Sequence, residues 1–455
     1  FRAITIDAPK CLSEHSLPED CSAVNHNPTY MKRKFLIGLG LAIGCGATQA
    51  QTILLDTIQT SVIVTDEQQT TDNGVIKAMY EANGLHFQDP RAPRFLFMDR
   101  KGKVALGIGG YVKGTMSVDM GGISNNLDFV TTDIPAPKQP DMRNQFQMDA
   151  STSRIFLKLV GDNTAVGDFT VYVETDFRGK DGHQYNLRLR QAYIKLGNVL
   201  FGKARSTFAD GAAGPPTIDF EGPSGSVSKK NTMIQYKQGI NKNWSFAASI
   251  ESPSESYTIA KDKSESIKQR IPDIPAYLQY QWDEGQSHIR LSGLFRALSY
   301  RNLVKAKNEY AIGWAAQLSG MVAFTPRITF YYQAAYGKGY ADYLNDLGGS
   351  GYDLIPDGDG GKLTAPYALG IVGGLQYNIC KNFFVSASYS QCRLYDQASL
   401  NGSAYKYGDY VVANAFYSPF SNCQVGVEFL YGNRHNHDGE SGNAHRLNAM
   451  IQYNF

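Results

Sequence analysis

From Lys103 to the last residue, Phe455, apolar and polar residues alternate in stretch after stretch, sixteen in all. A period of two is the pattern of β-strands, whose successive side chains point to opposite faces. The stretch 288–299 sets Ile289, Leu291 and Phe295 against His288, Arg290 and Arg296, and 154–159 sets Ile155, Leu157 and Leu159 against Arg154 and Lys158. The last ten residues do the same, with Leu447, Ala449, Ile451, Tyr453 and Phe455 on one face and Arg446, Asn448, Gln452 and Asn454 on the other. About ten residues is the length a tilted strand needs to cross a bilayer.

The connections constrain the fold further. Those after the even-numbered stretches are tight, such as Leu196-Gly197-Asn198, Cys380-Lys381 and Pro419-Phe420-Ser421, whereas those after odd-numbered ones are mostly long and polar, including 120–145, 208–230, 252–272, 340–365 and 395–406. Short turns on one rim and long loops on the other characterise a transmembrane barrel, and an even strand number puts both ends of the sheet on the short-turn side. Only a closed sheet satisfies its backbone in lipid. The expected fold is therefore all-β, a 16-stranded antiparallel transmembrane β-barrel over 103–455, with short periplasmic turns and long extracellular loops.

Residues 1–30 lack periodicity and are set aside as an upstream extension outside the mature protein. Met31 begins a better start: Lys32-Arg33-Lys34, an apolar run over 35–43, then Thr48-Gln49-Ala50. That is the plan of an export signal peptide over 31–50, too short to span a bilayer as a helix, which puts the mature start at Gln51. Cys45 invites a lipoprotein reading, but Ala42 stands where a lipobox prefers Leu. Residues 51–102 read as a periplasmic N-terminal segment, with a single heptad's spacing at Leu55, Ile58 and Val62 and a short helix within 73–83. Without residues 1–50, which carry five of the 44 Lys/Arg and four of the 42 Asp/Glu, 39 basic side chains face 38 acidic ones. Nothing in that balance points to nucleic acid.

Three cysteines follow Gln51: Cys380, Cys392 and Cys423. Cys380 and Cys423 fall on strands two apart, roughly 10 Å at normal strand spacing and beyond disulfide reach. They read as small apolar thiols. No cofactor or metal is expected: the carboxylates of 352–360 lack EF-hand spacing, and a short polar loop accounts for His435, His437 and Asp438. His288 and His445 stand alone on their strands, so no nucleophile and base are brought together and no enzyme is expected.

The pleat sends charge to one face, which in a barrel must be the lumen, because Arg or Lys toward lipid at the midplane costs about 2–4 kcal/mol. That face holds Arg154, Lys158, Arg188, Arg190, Lys203, Arg205, Lys237, Arg290 and Arg296 against Glu174, Asp176, Glu251 and Glu428. Such an excess in a narrow passage concentrates anions, and guanidinium offers carboxylates two parallel hydrogen bonds. The other reading is that these charges only solvate a water-filled wall. Gly202 and Ala204, placed on the lipid side by the same alternation, suggest a close subunit contact.

The order Leu187-Arg188-Leu189-Arg190-Gln191-Ala192-Tyr193, Gly202, Ser206-Thr207-Phe208, Asp219-Phe220-Glu221-Gly222-Pro223 and Gln235-Tyr236 resembles the DcaP-like outer-membrane porins. The resemblance implies a homotrimeric porin of a Gram-negative outer membrane, embedded in its lipid and passing small anionic solutes. It also implies an inward-folded third loop at 208–230, in which Asp210, Asp219 and Glu221 are candidates to clamp the wall arginines. A chain ending on such a strand resembles outer-membrane barrels whose terminal Phe, here Phe455, is read by the barrel-assembly machinery. A phosphate-type anion porin and a non-conducting surface barrel are the alternatives. Some relatives carry a longer coiled coil at the start, which this chain lacks the heptads to form.

Overall fold

Sixteen antiparallel strands close into one wall in the computed structural model, which describes residues 61–64, 74–80, 86–99, 101–121, 123, 127–139, 144–179 and 185–455. They are β1 (Val104–Met120), β2 (Gln145–Asp149 continuing as Arg154–Thr164), β3 (Gly167–Asp176), β4 (Arg188–Leu196), β5 (Val199–Arg205), β6 (Lys230–Gly239), β7 (Trp244–Glu251) and β8 (Ile274–Trp282). The second half comprises β9 (Ser287–Asn302), β10 (Lys307–Thr325), β11 (Ile328–Lys338), β12 (Tyr367–Cys380), β13 (Phe383–Leu394), β14 (Tyr405–Phe420), β15 (Cys423–Asn436) and β16 (Ser441–Asn454). Each pairs with the next, and β16 returns to β1 in a register running from His445 opposite Met120 to Asn454 opposite Tyr111. Phe455 completes the seam by exchanging two 3.0 Å backbone hydrogen bonds with Gly110. Among the described residues, the sixteen wall strands each have a neighbour on both sides.

The alternation becomes two faces. Ile155, Leu157, Phe201, Ile234, Leu291, Phe295, Leu318, Leu447 and Ile451 all stand exposed on the outside, an apolar belt that water would not tolerate but lipid accepts. Aromatic clusters mark its two borders: Trp244, Tyr280 and Trp282 near the short turns, with ring centroids 5.0 and 5.8 Å apart, and Trp314, Tyr336, Tyr367 and Tyr395 near the long loops. Amphipathic rings favour these levels.

One stretch that reads as a single strand, 146–160, is divided. At 150–153 the Asp149 carboxylate accepts from the Ser151 amide at 3.1 Å and its hydroxyl at 2.9 Å, a local turn that competes with the ladder. The loops after β9 and β15 are short hairpins, while those after β1, β3, β5, β7, β11 and β13 are long.

The part of 51–102 that the structure describes does not stand apart from the barrel. The helix α1 (Gly74–Tyr80) packs Val75 and Met79 on Ala105 and Val160 of the inner wall, and Lys158 Nζ donates to the helix carbonyls of Ala78 and Met79 at 2.9 and 3.1 Å. Residues 86–94 then cross the lumen, and the short strand Phe95–Met98 leaves along β1. The signal peptide, its cleavage point and Leu55 and Ile58 lie outside the described residues, as does the side chain of Val62.

Candidate functional site

The lumen is organised by the segment between β5 and β6, residues 206–229, here called L3. It leaves β5 toward the inside, because the Thr207 amide is held by Glu251 of β7 at 2.8 Å and Phe208 packs edge-on against Tyr340 and Tyr343. Asp210 then reaches the opposite wall, where its carboxylate meets His288 Nε2 at 2.8 Å and the Ser319 hydroxyl at 2.7 Å, with Arg290 at 3.7 Å. Burial alone would raise that carboxyl, but Arg290, His288 and Ser319 outweigh it and hold it well below the usual range.

Further along, the Pro216 carbonyl accepts from Asn414 of β14 at 2.8 Å. The amides of Ile218 and Asp219 both donate to the Glu428 carboxylate of β15, at 2.6 and 2.8 Å. The loop then turns back. Gly225 donates to Ser390 of β13 and Val227 to Gln333 of β11, so L3 tours most of the inner circumference before rejoining β6. The infolding implied by the family resemblance is what the backbone does.

At its far point L3 places the Phe220 ring among four guanidinium groups, Arg178 at 4.7 Å, Arg190 at 4.9 Å, Arg154 at 5.6 Å and Arg188 at 5.7 Å from the centroid. Their edges face carboxylates: Arg188 and Arg190 share Asp176 at 2.6 and 2.9 Å, Arg190 also meets Glu174 at 3.0 Å, and Arg178 meets Asp128 at 2.6 Å. An aromatic face and a carboxylate edge are the two surfaces a guanidinium binds best. Arg188 is the most open of the set, its side chain 40 % exposed.

Other candidate wall residues have different fates. Arg154 is 1 % exposed and lies between Glu174 and Asp89 at 3.4 and 3.6 Å. Arg296 is fully buried against Asp273 and Asp353 at 3.0 and 2.7 Å, where it ties the loop after β11 to the wall. Lys158 caps α1, as described. Arg290 faces inward, over the Tyr277 ring at 4.2 Å and against Gln279. Arg205 turns to Asp89 at 3.1 Å. Lys237 is exposed at the short-turn rim.

Two facing assignments are corrected. Lys203 pairs with Ala192 and Thr232 and shares the face of Phe201, which is 60 % exposed; it points outward, and its Nζ bonds the Leu189 carbonyl. Gly202 and Ala204 therefore face the lumen and cannot form a lipid-side subunit contact. The cause is a β-bulge at Arg190 and Gln191, opposite Glu174 and Thr175: both side chains reach Glu174, so the alternation flips below it.

Of the three L3 acids, Asp210 is the one that forms ion pairs with wall cations among the described residues. Asp219 instead accepts from the Phe129 amide, the Gly222 amide and the Tyr410 hydroxyl. Burial, then Asp128 and Glu428, push its carboxyl up to about 7. Burial, then Asp128, Asp346 and Asp219, push Glu221 well above its usual value. These acids meet other acids where loops 127–139, L3 and 339–366 join, a junction that Thr131 closes by donating to Asp346.

Among the described residues no cluster of ligand side chains is set to hold a metal; Asp357 and Asp359 pair with Lys362 and Lys263. Cys380, Cys392 and Cys423 are free thiols. What alternation could not reveal is the set contributed by 86–94, above all Asp89, and Arg178, which lies just past the end of β3. Phe220 stood in the family motif, with no separate signal of its role.

A closed sixteen-stranded wall, lipid-facing outside, polar inside and crossed by an infolded third loop, defines an outer-membrane porin. The chain belongs to the DcaP outer membrane protein family, whose model matches residues 96–353, more than half of its length. It is similar to the crystal structure of the outer membrane channel DcaP of Acinetobacter baumannii, with 22% identity, a TM-score of 0.68, and 79% of this chain and 99% of that chain covered. It is also similar in fold to Salmonella typhi OmpF, solved in complex with daunomycin, with 12% identity, a TM-score of 0.50, and 79% and 99% covered. No curated protein matches. The protein resides in the outer membrane of a Gram-negative bacterium, and the solved structures it resembles are channels and porins, not enzymes.

Proposed function

We propose that this porin passes small hydrophilic solutes by diffusion and prefers anions, carboxylates in particular. The observation that carries the reading is the guanidinium cluster around Phe220. Arg154, Arg178, Arg188, Arg190 and Arg205 converge on one side of the lumen against four paired carboxylates, Asp89, Asp128, Glu174 and Asp176. Arg188, although paired with Asp176, is the guanidinium of the cluster left most open, its side chain 40 % exposed. An open charge inside low-dielectric walls attracts counter-ions far more than it would in bulk water. Reversal potential in planar bilayers under a potassium chloride gradient tests this: chloride selectivity is expected, and cation selectivity refutes it.

The protein is further proposed to act as a homotrimer. An apolar outer groove of about 590 Å³, lined by Met116, Val118, Phe146, Ala413, Val427 and Leu447, runs over β1, β2 and β14–β16, a surface suited to another barrel's belt. Cross-linking in native membranes reads the subunit number. Phe455, at the end of the seam strand, is the residue proposed to be read by the barrel-assembly machinery; Phe455→Ala is expected to reduce the amount of folded protein in the outer membrane.

A further inference from the structure

The segment 86–94 precedes the residues matched by the family model, yet it runs through the lumen and is tied on several sides. Phe87 packs edge-on against the stacked pair Phe384 and Phe416, with centroids 6.0 and 4.9 Å away. Gln88 Nε2 donates to the Asp219 carbonyl of L3 at 2.7 Å, and the Gln88 carbonyl accepts from Arg154 at 2.9 Å and Tyr111 at 3.2 Å. Arg91 reaches the Ser421 carbonyl at the rim. Among the described residues, Asp89 makes the segment's only ion pairs with the wall.

The chemistry around Asp89 is that of a ligand site. Arg205 Nη2 approaches both carboxylate oxygens, at 3.3 and 3.1 Å, and Arg154 lies at 3.6 Å. Two guanidinium groups thus converge on one carboxylate. Arg154 is not saturated by it: its buried Nε–H has no hydrogen-bond partner among the described residues. A buried donor left open is costly unless water or a solute supplies the acceptor.

We propose that Arg154 and Arg205 form a carboxylate-binding subsite of the pore, occupied in this structure by the chain's own Asp89, so that a solute carboxylate and Asp89 compete for it. The inference rests on the anion-preferring reading above and deepens it. A free dicarboxylate that reaches the two guanidinium groups therefore displaces Asp89 from them. Displacement also loosens the leg, whose remaining ties are the Phe87 ring contacts, the Gln88 hydrogen bonds to Asp219 and from Arg154, and the rim contacts at Arg91 and Arg94.

The test uses the full mature porin in planar bilayers with succinate as the probe, comparing the parent with Asp89→Asn and Asp89→Glu. Asp89→Asn is expected to lower the succinate concentration that half-blocks chloride current by about tenfold, the loss of roughly 1.4 kcal/mol of competition, while Asp89→Glu behaves as the parent. Chloride selectivity in all three with an unchanged succinate response overturns the subsite. Absence of chloride selectivity in the parent overturns the anion-preferring reading itself, which separates the two failures. If Asp89→Asn does not assemble, Phe87→Trp serves instead: succinate is expected to red-shift its emission beyond any change in the parent's native tryptophans, as the ring leaves Phe384 and Phe416. No shift with succinate, compared with potassium chloride at equal ionic strength, overturns displacement.

Discussion

Glu428 is the clasp of L3, and Glu428→Ala should open the pore. Its two carboxylate oxygens take the amides of Ile218 and Asp219 at 2.6 and 2.8 Å, and Asn448 and Asn414 support them at 3.0 and 3.2 Å. Alanine leaves two loop amides without acceptors in a buried site, at about 1–3 kcal/mol each. The middle of L3 therefore loses about 2–6 kcal/mol of docking, one and a half to four powers of ten in the ratio of docked to undocked loop. The ends stay fixed by Thr207 on Glu251 and Asp210 on His288, and by Val227 on Gln333 and Lys229 on Asp342, so the loosening is confined to the far point, where Lys113, Gln88 and the guanidinium groups around Phe220 remain as ties. Single-channel recording should show a larger and noisier open current than the parent, while β-sheet content and heat-modifiable mobility on gels stay the same. An unchanged current would refute the reasoning, because it would mean that the span 216–221 does not border the conducting path.

Acid pH should tighten the same loop: Asp219, shifted up to about 7 by burial, Asp128 and Glu428, holds its proton when docked and releases it more readily when free, so docking is strongest below the ordinary carboxylate range and is lost as pH rises toward about 7. Conductance should then be lower at pH 5 than at pH 8, and Glu221→Gln, which removes a buried acid beside Asp128, Asp346 and Asp219, should reduce the difference; a flat profile in the parent would count against it. Arg296→Met strands Asp273 and Asp353 in the interior and should cost about 3–5 kcal/mol of stability, read as a lowered thermal transition with selectivity intact, since the side chain is fully buried. Arg188→Gln removes the most open guanidinium and should move the reversal potential toward zero without a comparable loss of stability.

Most of the wall was legible because a two-faced strand in lipid leaves no freedom: every second residue must be apolar, and each slip would set charge against hydrocarbon. All sixteen strands follow from that rule, with ends displaced by a few residues. Its failure at Lys203 is equally physical. Alternation counts residues, and the bulge at Arg190 and Gln191 inserts one, so the faces shift below it in β4 and at Lys203 of β5 paired to it, whereas Arg205 at the end of β5 still reaches Asp89 in the lumen. Nothing in the Arg188–Tyr193 stretch announces the insertion, because the residues on either side are amphipathic enough to accept either face. The leg was invisible for another reason: 86–94 has no period at all, and its place is set by contacts more than a hundred residues away, with Thr217 and Arg205.

Counting lumen charges from the pleat also answers a different question from the one selectivity poses. Nine basic residues against four acids looks like a strong positive field, but Arg154, Lys158 and Arg296 are spent on buried partners, Lys203 faces outward, and the structure adds Asp89 and Asp128, which the strands do not contain. A fully desolvated ion pair is nearly silent to a passing solute, whereas an open guanidinium such as Arg188 is not. Selectivity therefore depends on which arginines remain uncompensated when L3 and the leg are in place. It follows that loop and leg are parts of the filter as much as its obstruction: Phe220 holds four guanidinium groups in one cluster, and Asp89 decides whether Arg154 and Arg205 count as wall or as site.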